Sequence, residues 1–407
     1  MHLDTDLLHS LAKEHGTPLY VYNGDLVIER YRDLPLFITW PKFRALYAMK
    51  ANFNAGILKA INEIGGWLDT VSPAEVIYAK RLGFPVDRML YTANNLSEDE
   101  MHEVVGQGVL LNIGSLSRLE KFAKAYPGSN VCLRFNPEVV DGGHEKIMTG
   151  GDLTKFGILL QDVDQVKAIV AENNIKVIGL HEHTGSGLTK TDSVYQAMQN
   201  LMSIATQENF PDLEFVDFGG GFKVPYEPDE ERVDYVSFGS EITRIFTEFC
   251  ENYGKELYMY FEPGKYIVAE AGYMLVEVNT MKDNKGRQIA GCDSGFPQLI
   301  RPMFYESYHH IENLSNMDGE VQTYDICGNI CETGDRFAEQ RELPEIREGD
   351  ILSIQNAGAY CYSMGGVYNM RPMPAEVLVL NGESKLVRKQ LTNEDLVDQI
   401  LGECSLD

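Results

Sequence analysis

The chain has 407 residues, 44% hydrophobic and 24% charged, with 61 acidic against 35 basic side chains and a net charge of -26. That negative excess excludes non-specific attachment to nucleic acid or anionic lipid, so any anionic ligand must be gripped by local positive groups. Seven cysteines, an odd number over a long chain, argue against a secreted disulfide framework, and with no signal-like start and no apolar run of membrane length the expectation is a soluble cytoplasmic protein.

The first apolar stretch, Pro18-Leu19-Tyr20-Val21-Tyr22, reads as a strand that joins a second domain. Between residues 44 and 263, eight short β-branched or aromatic runs alternate with amphipathic stretches of helical length. They are Ala45–Met49, Trp67–Val71, Met89–Thr92, Val109–Ile113, Val131–Phe135, Val177–His183, Glu214–Phe218 and Leu257–Phe261. Strands alternating with helices form parallel βαβ units, and eight of them predict a closed (β/α)8 TIM-type barrel in an α/β protein. The long gap between the fifth and sixth runs carries a glycine-rich loop from Gly142 to Gly157, expected to act as a lid or contact loop over the barrel mouth. After residue 265 the strand-like segments Tyr273–Val278, Val321–Ile326, Ile351–Ile354 and Ala375–Leu380 follow without long helices between them, which predicts a mainly antiparallel β domain. The expected division is a cofactor-binding barrel over residues 30–268 and a β domain, built from 1–29 and 269–407, that completes the active site.

In such a barrel, chemistry belongs just past the C-terminal ends of the strands. Lys50 stands at the exit of the first run, where apolar neighbours are expected to lower its pKa and expose a neutral amine for imine formation. Asp69 and Ser72 follow the second strand, Asn94 and Asn95 the third, Ser115 the fourth and Arg134 the fifth. Gly219, Gly220 and Gly221 follow the seventh strand, where backbone N–H groups can turn toward a phosphate, and Ser186 can add a hydroxyl to the same anion. His181 and His183 share a strand face but lack a second ligand cluster, so no metal is expected; His183 is placed to lie over an aromatic ligand. Glu262, before Pro263-Gly264-Lys265, can pair with a protonated ring nitrogen. Lysine, phosphate cradle, stacking histidine and acidic ring partner together are what a pyridoxal 5'-phosphate site needs.

Tyr47-Ala48-Met49-Lys50-Ala51-Asn52, His181-Glu182-His183-Thr184-Gly185-Ser186, the Gly219 triplet and Glu262-Pro263-Gly264 resemble the alanine-racemase-fold (fold type III) pyridoxal-phosphate decarboxylases. Arg301-Pro302-Met303-Phe304-Tyr305, Cys331-Glu332-Thr333-Gly334-Asp335, Gly358-Ala359-Tyr360 and Tyr368-Asn369 narrow this to a resemblance to the diaminopimelate decarboxylases. The resemblance implies that Lys50 forms the resting imine with the cofactor, His183 stacks on its ring and Glu262 holds the ring nitrogen. Ser186, Gly219 to Gly221, Gly264 and Tyr360 would surround the rest of the cofactor, and Cys331 would protonate the α-carbon after carbon dioxide leaves. It also implies a head-to-tail homodimer whose active sites are shared across the interface.

For the substrate, Arg301 with Tyr305, Lys265, Tyr360 and Glu332 would hold the distal amino-acid group of meso-2,6-diaminopimelate, giving L-lysine and carbon dioxide as in lysine biosynthesis. A substrate without a distal carboxylate would leave Arg301 unpaired in a closed site. Lys265 stands where many members carry arginine, and Asn329 where proline is common. Lysine supplies charge without a two-pronged grip. The alternatives are a relative acting on another amino acid with a distal carboxylate or on ornithine, lysine or arginine, an amino-acid racemase, and a non-catalytic cofactor carrier.

Overall fold

A computed structural model describes residues 3–139, 154–185 and 191–402. Eight parallel strands close into a barrel: Phe43–Ala48, Trp67–Thr70, Met89–Tyr91, Leu110–Ile113, Asn130–Arg134, Lys176–His181, Phe215–Asp217 and Tyr258–Phe261. The last strand returns to the first through the register Phe43 with Met259 and Ala45 with Phe261. All eight runs of the sequence are therefore strands, with ends displaced by at most two residues. Two displacements matter. The first strand stops at Ala48 and continues as a single 3-10 turn, Met49–Ala51, so Lys50 sits on a turn. The sixth stops at His181, which frees His183 from the ladder.

The barrel is closed at the N-terminal ends of its strands by side chains, not by solvent. Leu46, Leu90, Cys132, Phe215 and Tyr260 form a buried cluster there, and the Phe215 and Tyr260 rings stack at 4.5 Å. A side chain on Gly179 would lie 2.1 Å from the Phe215 ring, so this glycine makes the room that Phe215 fills. With that end plugged, the open cavity lies at the C-terminal ends. The helices between strands start on caps that satisfy their first N–H groups, as where Ser72, Ser97 and Ser115 accept from Glu75, Glu100 and Arg118.

The second unit is a nine-stranded, mainly antiparallel sheet. Its hub is the long strand Gly272–Asn284, antiparallel to Leu19–Asn23 on one side and to Arg287–Cys292 and Ile351–Ile354 elsewhere along its length. Leu19–Asn23, the run that precedes the barrel in the chain, is fully buried between that hub and the parallel strand Ala375–Leu380. Four strands were not legible as apolar runs: Arg287–Cys292, Ile311–Asn313, Arg336–Pro344 and Glu383–Arg388. Barrel and sheet share one continuous core, in which Tyr20 and Tyr22 of the sheet and Tyr47 and Phe261 of the barrel belong to the same buried cluster. None of the helices among the described residues is long and apolar enough to cross a membrane.

Candidate active site

The two units meet at Lys50. Behind it, the Tyr360 N–H donates to the Ala51 carbonyl at 2.8 Å, the Ser363 hydroxyl donates to the same oxygen at 3.0 Å, and the Asn52 side chain donates to the Gly358 carbonyl at 2.9 Å. Tyr360 is held at a φ of 56°, a conformation a bulky residue adopts only when its surroundings impose it. Its hydroxyl lies beside Gly264, where an added side-chain carbon would approach it to 3.2 Å. The β domain thus supplies one wall of the barrel mouth.

In front of Lys50 opens a cavity of about 790 Å³, which Lys50, Arg134, His183, Glu262, Lys265, Arg301, Tyr305 and Tyr360 all line. The Lys50 ammonium donates to Asp69 at 2.6 Å, and Asp69 also accepts from the Thr92 hydroxyl. This changes the expectation for Lys50. Burial alone would lower its pKa, but Asp69, Glu262 and Tyr360 more than offset burial and raise it. The apolar neighbours seen in the sequence gave only the first of these effects, because Asp69 arrives from the next strand.

Next to His183 and Glu262, the glycine turn after the seventh strand packs too closely for side chains. Gly219 has a φ of 66°, and a side chain there would fall 2.4 Å from His183 Nδ1; one on Gly220 would fall 2.7 Å from the Glu262 carbonyl oxygen. The Gly220 N–H donates to His183 Nδ1 at 3.0 Å, and the Glu262 N–H donates to the Gly219 carbonyl at 2.7 Å. Burial, Arg134 and Lys50 push the His183 pKa well down, so its imidazole is neutral and accepts from Gly220. Gly221 lines a smaller pocket adjoining this turn. Ser186 and residues 140–153, including most of the glycine-rich loop, lie outside the described residues.

His181, Asp217 and Glu262 are all buried, with potential ligand atoms within 4.8 Å of one another. Of these three only Glu262 reaches the cavity. Its Oε1 has no hydrogen-bond partner, and burial raises its pKa. A buried carboxylate, its Oε1 3.4 Å from His181 Nε2, on the wall of a cavity that Lys50 and His183 also line, and next to a glycine turn, fits pyridoxal phosphate with its cationic ring nitrogen.

At the outer end, the Arg301 guanidinium is buried over the rings of Tyr226 and Tyr305, 5.0 and 5.7 Å from their centroids, and donates to the Ser307 hydroxyl at 3.2 Å. Among the described residues no carboxylate pairs with it, and its Nε is buried without a partner. Lys265 stands close by; burial, Arg301 and Lys223 lower its pKa to about 7. The sequence marks Arg134 only as a strand-end residue, and nothing local distinguishes Tyr226 in the loop after the glycine triplet. Arg134 lies 4.5 Å over the Phe156 ring with Nη2 buried and unpartnered.

Cys331 and Glu332 are not brought to this cavity. Both are exposed, on a turn anchored by Asp335, which accepts from the Phe296 N–H at 2.6 Å and the Ile330 N–H at 2.8 Å. Glu332 accepts from the Tyr368 hydroxyl at 3.0 Å, and the Cys331 N–H donates to Asn369 at 3.3 Å. Met303, Phe304, Val367, Tyr368 and Met370 around this turn are exposed apolar side chains.

Residues 27–269 match the family model described as the pyridoxal-binding domain of pyridoxal-dependent decarboxylases. The diaminopimelate decarboxylase of Methanothermobacter thermautotrophicus is 42% identical, over 95% of this chain and 92% of that protein. A crystal structure of a diaminopimelate decarboxylase superposes with a TM-score of 0.90 at 30% identity, covering 99% of this chain and 98% of that one. The Helicobacter pylori diaminopimelate decarboxylase, solved in complex with L-lysine, superposes with a TM-score of 0.89 at 28% identity, covering 97% and 99% of the two chains.

Proposed function

This chain belongs to the diaminopimelate decarboxylase family of pyridoxal-dependent decarboxylases, and from that premise we propose that it converts meso-2,6-diaminopimelate to L-lysine and carbon dioxide. The observation that carries the choice of substrate is Arg301, a buried guanidinium without a carboxylate partner among the described residues. Leaving it unpaired in a closed site costs about 1–3 kcal/mol. A ligand with a distal carboxylate removes that cost, whereas ornithine, lysine and arginine have none to offer.

Each side chain then has a task. Lys50 carries the amine that links to the cofactor's aldehyde, and Asp69 holds and orients that amine. Glu262 would accept from the ring nitrogen, His183 would lie against the ring, and the Gly219 to Gly221 turn, with Ser186, would hold the phosphate beside Gly264 and Tyr360. Bound pyridoxal phosphate supplies an electron-accepting ring that takes up the pair released as the α-carboxylate departs. Arg301 and Lys265 grip the distal carboxylate, with Tyr305 and Tyr360 beside them. The α-carbon is protonated by the partner subunit's Cys331, and the distal ammonium is held by the partner subunit's Glu332.

That last assignment requires a homodimer. It is supported by the exposure of Cys331 and Glu332 outside their own chain's cavity and by the apolar side chains that surround them. We also place the protein in a reducing cytoplasm, in keeping with six free cysteines among the described residues, and divide the chain into a barrel over 30–268 and a β domain from 1–29 and 269–407. The test is carbon dioxide release from meso-diaminopimelate, L-lysine, L-ornithine and L-arginine offered separately. Release from diaminopimelate alone is expected; release from ornithine or arginine with none from diaminopimelate overturns the substrate.

A further inference from the structure

Asp217 is a fully buried carboxylate at the end of the seventh barrel strand that touches neither the cavity nor any cation among the described residues. Burying a charged carboxylate is costly unless it is paired and hydrogen-bonded, and burial raises the pKa of this one. Its Oδ1 accepts from the Gly219 N–H at 2.9 Å. The same glycine accepts from the Glu262 N–H, and its neighbour Gly220 donates to His183. One carboxylate oxygen thereby fixes the turn on which the cradle, His183 and the Glu262 backbone all depend. The other, Oδ2, is buried without a hydrogen-bond partner and lies in the cluster with the Glu262 carboxylate and His181.

We propose that Asp217 is a positioning residue for the cofactor, acting on its phosphate cradle through Gly219 and on its ring nitrogen through the carboxylate of Glu262. This rests on the function proposed above. Two carboxylates in one buried site resist ionising together, so a proton is retained on the Asp217 and Glu262 pair until a cation pairs with Glu262. The groups whose charges reach this pair are Lys50, Asp69, Cys132, Arg134, His181, Glu182 and Tyr260. None of these groups is itself altered by a substitution at Asp217. Asp217→Asn keeps an acceptor for the Gly219 N–H but removes the competing charge, so Glu262 ionises at lower pH. Asp217→Ala removes both.

The experiment measures pyridoxal phosphate binding to cofactor-stripped full-length protein from pH 5 to 9, by quenching of intrinsic fluorescence, with thermal unfolding in parallel. For Asp217→Asn, affinity at pH 8 within threefold of the parent is expected, with the acidic limb of the binding profile shifted down by half a pH unit or more. For Asp217→Ala, binding at least tenfold weaker is expected. An unmoved acidic limb in Asp217→Asn overturns the proposal, as does Asp217→Ala binding within threefold of the parent. If Asp217→Ala does not fold, the Asp217→Asn profile decides alone. A parent protein that binds no pyridoxal phosphate refutes the functional reading itself, which separates that failure from this one.

Discussion

Lys265 is a residue through which pH reaches this chain's substrate site. Its amine is buried beside Arg301 and Lys223, and its pKa falls to about 7. A carboxylate ligand binds the protonated form, so affinity is full below pH 7 and declines as pH rises and the free site loses its proton. The expected outcome is a KM for diaminopimelate that climbs about tenfold per pH unit above 7, levelling where the lysine in the complex titrates. In Lys265→Arg the guanidinium stays charged and the climb is absent; steady-state kinetics from pH 6 to 9 measure both. A KM equally steep in Lys265→Arg would remove Lys265 from substrate binding. The residue types at the site were legible, because a lysine at a strand exit, a glycine triplet and a Glu-Pro-Gly turn each carry their chemistry in sequence. Their charge states were not, as Lys50 shows: its burial was visible, and the aspartate that reverses the effect was not linked to it.

At the scale of the element, the turn from Cys331 to Asp335 stands apart, since its shape depends on one buried carboxylate. Asp335 accepts two backbone N–H groups, and Gly295 and Gly328 pack against its oxygens. Removing it in Asp335→Ala leaves buried donors unsatisfied, an expected loss of about 1–3 kcal/mol in unfolding free energy. Cofactor absorbance should remain while decarboxylation falls, because the turn lies outside the chain's own cofactor cavity. Chemical denaturation and visible absorption measure the two effects, and loss of cofactor in step with activity would contradict this separation. The strands missed in the sequence belong to the same scale. Arg287–Cys292 and Glu383–Arg388 are too polar to stand out as apolar runs, yet each follows a tight turn, Lys285-Gly286 and Asn381-Gly382, whose residues all have positive φ. The Asn-Gly pair at 381 is the hairpin signal that could have revealed the second of them.

For the whole molecule, the separation of Cys331 and Glu332 from the cavity that holds Lys50 sets the assembly expected. If two chains complete each other's sites, mixing Lys50→Ala with Cys331→Ala protein under conditions that exchange subunits places one intact site in each mixed dimer. Random exchange then restores about a quarter of the parent activity, from two variants that are each nearly inactive. Activity no higher than the average of the two would show that each site is built within one chain. The barrel and its eight strands followed from the sequence alone, because strands buried on both faces are short apolar runs and helices between them leave a periodic trace. The positions of Lys50, His183, the glycine turn and Glu262 followed too, at or just past the ends of those runs. Tertiary structure alone decided what each residue faces: Asp69 on Lys50, Asp217 behind Glu262, Tyr226 under Arg301, and Cys331 turned away from its own cavity. The physical reason is range, since strand patterning is set by neighbours a few residues apart, whereas electrostatics and packing are set by side chains brought together from distant parts of the chain.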